Sequence, residues 1–215
     1  MLVTTIDRTD DAYPSGLADL HDPPGRLYAR GSLDALGLQA VAVVGARACS
    51  SEGANFARTL ARDLAAQGYA IVSGLARGID AEAHRGALDA GGATVAVLGC
   101  GIDRTYPAAH TDLARRITDG GGVIVSEYEP GVEPAPWRFP ARNRIVAALS
   151  AAVVVVEARE RSGALIVADF ALELGRELVA VPGAPWSVLA AGANALIAQG
   201  HAAPYQTTEQ ITAHW

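Results

Sequence analysis

The chain contains no lysine; all 17 of its basic residues are arginine. Schiff-base catalysis and the phosphate-gripping lysine of a P-loop are thereby excluded, because both require a primary amine. Cysteine is nearly as scarce. Cys49 and Cys100 stand far apart without CxxC or Cys/His spacing, so neither a disulfide framework nor a zinc site is indicated, and a reducing cytoplasm is the simplest setting. Long apolar runs are missing too: the stretch 145–156 is interrupted by Ser150 and falls short of the roughly 20 residues that span a bilayer. The opening MLVTTIDRTDD is polar and acidic, unlike a secretory signal, so a soluble cytoplasmic protein with no membrane partner is expected. Paired carboxylates and metal-ligand clusters are absent from the pattern, and neither a cofactor nor hydrolytic turnover is expected.

What is present is a chain of 215 residues, 50% hydrophobic, long enough to bury roughly 70% of its unfolded surface in one large domain. The net charge of -6 argues against a globally basic nucleic-acid binder and leaves a local patch to be sought. From residue 41 onward, uniformly apolar runs at 41–45, 70–74, 94–99, 123–127, 153–158 and 178–183 alternate with stretches of helical period at about 52–67, 80–90, 108–119, 141–150, 163–175 and 192–199. Such runs are buried on both faces, which predicts an α/β fold: a doubly wound, mostly parallel sheet with helices on both faces. Ligands of such sheets bind beyond the carboxyl ends of the strands. Residues 1–40, rich in Pro and Gly, read as an extended arm leading into the domain at 41–215, with one short helix near 14–20.

The strand-end loops carry the candidate chemistry. The first, VVGARACSSEG, places Gly45, Arg47, Ser50 and Ser51 before a helix N-terminus, where free amides and the helix dipole favour an anion. It lacks the GxGxxG spacing of dinucleotide folds, and a serine that merely caps the helix beside a solvated arginine explains it equally well. The second, SGLARGIDAEAH, offers Ser73, Gly74 and Gly78 for a phosphate-cradling turn, with Asp80 placed to cap the next helix and His84 read as a packed histidine. Glu157 ends a strand, and Ser162-Gly163 opens another helix. The stretch PAPWRFPARNRIVAALS is the most informative. Arg138, Arg142 and Arg144 stand beside Trp137 and Phe139 with no acidic residue from 134 to 150. Guanidinium groups for phosphates and ring faces for bases suit single-stranded nucleic acid. A loop whose arginines pair with the upstream Glu127, Glu129 and Glu133 suits the pattern as well.

In their order and spacing, the segments YP..L..L.DPP..LYARG, VAVVGAR, SGLARGIDAEAH, VAVLGCGIDRTYP, FPARNRIVAALS and RSGALIVADFALELGRELVAVPG resemble the central domain of the DNA-processing protein A (DprA/Smf) family. The resemblance implies an extended Rossmann-like fold, binding of single-stranded DNA, loading of the RecA recombinase in natural transformation and recombination, and a homodimer. It places the family's Gly-Ser-Arg motif on Gly45, Ala46 and Arg47, and its FP.RNR motif on Phe139, Pro140, Arg142, Asn143 and Arg144. Ala46 departs from the usual Ser, and Val167 and Asp169 stand where a Thr and a basic residue are common. The rival implied by the wider superfamily is a phosphoribohydrolase, whose PGGxGTxxE signature VPGAPWS and RSGALIVAD do not reproduce. A small-nucleotide sensor is the third reading.

Overall fold

The computed structural model describes residues 2–213. Its centre is the parallel series β3 (Ala40–Val44), β4 (Ala70–Ser73), β5 (Thr94–Val97), β6 (Val123–Ser126), β7 (Ala152–Val155) and β8 (Glu177–Ala180), each at an apolar run of the sequence. Every residue of β3, β4, β5, β6 and β7 is buried, as strands covered on both faces must be. The helices α1 (Ser51–Ala66), α2 (Ile79–Asp89) and α3 (Thr111–Asp119) cover one face, packing Leu60, Leu64 and Ile117 on Val41, Ile71 and Ile124. On the other face lie α4 (Arg138–Ala148), α5 (Gly163–Glu173) and α6 (Ala191–Ala198), whose Ile145, Ala168 and Leu196 meet Val44, Val72 and Val155. A short α7 (Thr208–Thr212) returns Ile211 to the first face.

Residues 2–40 differ from the expected arm. Residues Thr4–Asp7 (β1) and Arg26–Gly31 (β2) join the sheet edge antiparallel, β2 pairing with β6, and a 3-10 turn at Ser15–Asp19 lies between them. Ile6, Leu27 and Ala29 fill one face of the core, so this segment completes the sheet. The DPPGR break between two short alternating runs hid a pair of strands from a reading based on long periodicity.

The strand order is β1-β2-β6-β5-β4-β3-β7-β8-β9, with β9 at Ala203–Pro204. Progression reverses between β3 and β7. At such a switch point the loops leaving neighbouring strands diverge to opposite faces and open a crevice at the carboxyl edge.

Candidate nucleic-acid interface

A crevice of about 600 Å³ opens where the switch point requires. Gly45 and Arg47 after β3, Gly74 after β4, Phe139, Arg142 and Asn143 of α4, and Ser162 and Gly163 at the start of α5 all line it. The structure thus gathers these residues from four separated segments. Ser50, Ser73, Gly78, Trp137, Arg138 and Arg144 lie outside its lining, each for a physical reason.

Ser73 is fully buried, and its hydroxyl donates to the Val43 carbonyl at 2.7 Å, tying β4 to β3. Gly78 works through its backbone: φ is +73°, and a Cβ there would stand 2.2 Å from the Ala46 carbonyl oxygen. Ser50 caps α1 by accepting from the Gly53 amide at 2.9 Å, as one of the two readings of that loop held. Its own amide and hydroxyl donate to Glu157 at 2.9 and 2.6 Å. A carboxylate of the chain therefore already occupies the anion position at the α1 N-terminus, and Ser50 is withdrawn as an outside phosphate ligand.

The arginines of α4 divide sharply. Arg144 forms a two-pronged pair with Glu127 at 2.8 and 2.7 Å, with side chains only 13% and 15% exposed, and its Nε donates to the Asp22 carbonyl at 3.1 Å. It fastens α4 to the β6 loop and the N-terminal segment. Arg142 is 4% exposed, and its Nη1 donates to the carbonyl oxygens of Gly74 and Val97. Burial pushes its guanidinium below the ordinary range, opposed by the nearby Asp80. Burial likewise raises Asp80, against the pull of Arg142 and of the Gly74 and Ala76 amides, which donate to it at 3.1 and 3.3 Å. Asp80 thus reaches back to the loop inside the first turn of α2, and Gly78, not Asp80, takes the cap position. Arg142 and Asp80 together brace the crevice floor. The tight fit explains Gly74, where a Cβ would stand 2.3 Å from the Arg142 Nη1.

Arg138 lies over the rings of Trp137 and Tyr128, 4.7 and 5.2 Å from their centroids, and donates to the Glu133 carbonyl. Trp137 remains 61% exposed beside this cluster.

In the crevice itself, Arg47 is exposed and stands 5.7 Å from the centroid of Phe139, whose ring lies 5.0 Å from that of Tyr106. Arg159, exposed on the β7 loop, faces the same space. Neither arginine forms an ion pair among the described residues. The α5 N-terminus is the open one: Ser162 makes no side-chain cap, its buried Oγ has no hydrogen-bond partner among the described residues, and Asn143 holds the turn by donating to the Gly163 carbonyl at 3.0 Å. Leu75 and Arg161, both at φ +57°, strain the backbone on two sides of the crevice, and such strain gathers where a loop is shaped for binding. Tyr106 and Arg159 were missed in the sequence. Tyr106 closes the VAVLGCGIDRTYP segment, which carried the resemblance but no candidate site residue, and Arg159 lies in a loop whose candidate chemistry was read on Glu157 and Ser162.

His84 is fully buried, bonded through Nδ1 to the Thr94 hydroxyl at 2.7 Å, and burial lowers it to about 3, so it is a core histidine. No group of His, Cys, Asp or Glu among the described residues could hold a metal, and no described helix is long and apolar enough to cross a membrane.

A doubly wound α/β domain with an arginine-flanked, aromatic-walled crevice at its switch point belongs to the Rossmann-like class that holds anionic ligands at strand ends. The chain is a member of the DNA recombination-mediator protein A family, whose model matches residues 4–215. It is 45% identical to the DNA processing protein DprA of Streptococcus pneumoniae over 89% of this chain and 67% of that one, and the two structures agree with a TM-score of 0.92. Protein Smf of Escherichia coli is 44% identical over 91% of this chain and 52% of its own. The DNA processing protein A of Helicobacter pylori, a structure described for its single-stranded DNA binding mode, matches with a TM-score of 0.90 at 31% identity, over 100% of this chain and 95% of that one. The chain spans between about half and two thirds of the length of the first two relatives.

Proposed function

We propose that this chain binds single-stranded DNA in the crevice, without sequence preference and without turning it over. The observation that carries the reading is the convergence of unpaired Arg47 and Arg159 with the Phe139 and Tyr106 rings at the open α5 N-terminus. A phosphate seated there meets the α5 N-terminal amides and two exposed guanidinium groups, while an adjoining base finds a ring face. Arg142 and Arg144, expected from the sequence to reach phosphates, act instead as the frame that holds Phe139 and Asn143 in place. Gly45 and Gly74 let the backbone line the crevice closely. Trp137 and Arg138 stand beside it and serve as an outer contact for the strand.

The related phosphoribohydrolase chemistry is disfavoured by Glu157. Its two oxygens are held by Ser50, so it is committed to capping α1 and is not poised against a sugar. Within the same proposal the protein works in the cytoplasm as a homodimer and hands its DNA to the RecA recombinase. Family membership supports this part of the reading.

The test is a binding comparison of single-stranded DNA, duplex DNA and nucleoside monophosphates at two salt concentrations. Preference for the single strand, with affinity falling as salt rises, is the expected result. Equal binding of monophosphates would favour a nucleotide sensor, and release of a free base would favour an enzyme.

A further inference from the structure

The loop from β8 to α6 exposes Trp186 by 85% and Val188 by 65%. Trp186 is barer than the exposed Trp137 (61%) and Tyr106 (46%), and its flat amphipathic ring offers a large contact face. The loop is also held firmly. The Gly183 amide donates to Asn194 Oδ1 at 3.1 Å, Asn194 Nδ2 donates back to the Gly183 carbonyl at 2.9 Å, and backbone bonds from Ser187 to Ala184 and from Ala190 to Ser187 close the turns between. Trp186 is therefore presented on a fixed support, which lowers the entropy lost on contact.

Its place in the sheet gives the occupant. β8 lies next to β7, whose loop supplies Arg159, Ser162 and Gly163 to the crevice, and neighbouring strand ends are only about 5 Å apart. The start of α6 leans on that loop: the Gly192 amide donates to the Ala158 carbonyl at 2.8 Å, and a Cβ on Gly192 would come within 2.9 Å of the Arg159 carbonyl oxygen. Residues 178–208 contain no Asp or Glu, so no carboxylate of this segment opposes a phosphate, while the connecting loop balances the exposed Arg159 and Arg161 against Glu157 and Glu160.

We propose that Trp186 is a second base-stacking platform, on which a single strand leaving the crevice past Arg159 lays a base. The proposal rests on the crevice holding single-stranded DNA. It extends the path to a neighbouring loop and predicts a dependence on strand length that the crevice alone does not give.

The experiment measures the affinity of the full chain for oligothymidylates of about 4 and about 16 nucleotides, the range over which single-strand sites commonly run. Trp186→Ala should weaken the longer oligomer about 5- to 150-fold, the loss of one stacked base, with the salt slope and the shorter oligomer unchanged. Trp186→Phe should restore most of the loss. If Arg47→Ala weakens both oligomers while Trp186→Ala weakens neither, the platform is refuted and the crevice stands. Should Arg47→Ala leave both unaffected, the crevice reading falls and the platform falls with it. A Trp186→Ala variant that lowers the mass seen by light scattering, at unchanged DNA affinity, would assign the indole to a second copy of the chain and overturn the proposal.

Discussion

Replacing Arg142 by Ala removes a guanidinium that is 4% exposed and that donates to two buried carbonyl oxygens, of Gly74 and Val97. It also removes the main opposite charge acting on the buried Asp80. Each carbonyl left without a donor costs about 1–3 kcal/mol, although a water entering the void recovers part of that. Stranding a buried carboxylate by deleting its partner costs about 3–5 kcal/mol on its own, and the terms overlap, so a total loss of about 3–5 kcal/mol is expected. That is about a fifth or more of the stability of an ordinary domain. Urea unfolding followed by circular dichroism should show a lower midpoint with an unchanged slope. The pH dependence carries a second signature. Asp80 already has a raised folded-state pKa, so its ionisation works against the fold as pH rises above the ordinary carboxylate value of 3.8. Without Arg142 the pKa rises further, so the deficit should be full near neutral pH and shrink on acidification. A loss under about 1 kcal/mol, together with a flatter salt dependence of DNA binding, would refute the reasoning and return Arg142 to the DNA.

Arg144 and Glu127 should show a coupling of about 1–3 kcal/mol in a double-mutant unfolding cycle, because both ends of the two-pronged pair are mostly buried; additive single variants would contradict the pinning role. His84, lowered to about 3, should show no imidazole titration near 6.5 by NMR. Because its folded pKa is depressed, the stability it supports is full above pH 6.5 and is lost as pH falls toward 3, at up to about 1.4 kcal/mol per unit. An imidazole titrating near its ordinary value would show that it is exposed to water.

Much of the frame was readable before any coordinates. The six apolar runs from 41 onward became β3 to β8 because strands buried on both faces leave little choice of residue, and α1 to α6 followed from the stretches between them. Helix α4 begins earlier than its period suggested, at Arg138, because Pro140 lies in the first turn, where its missing amide has no helical partner to lose. The site was legible in its parts: Arg47, Phe139, Asn143 and Ser162 meet in one crevice although up to 115 positions separate them in sequence. Which arginine faces water was not legible. Arg142 and Arg144 are two residues apart on a helix, and whether each meets a carbonyl, a glutamate or solvent depends on Gly74, Val97 and Glu127, which arrive through the sheet. Which of the two readings of Ser50 holds was not legible for the same reason, since its partner Glu157 is 107 residues away.

The central claim is that the phosphate contacts come from the open crevice and not from the buried arginines of α4. A salt titration of single-stranded DNA binding by Arg47→Ala decides it most directly. Arg47 is exposed and forms no ion pair among the described residues, so its loss should leave the unfolding free energy within about 0.5 kcal/mol of the parent, while the slope of log affinity against log salt flattens by about 0.7 for the one phosphate released. An unchanged affinity and slope in a folded Arg47→Ala protein would mean that the strand does not pass through this crevice.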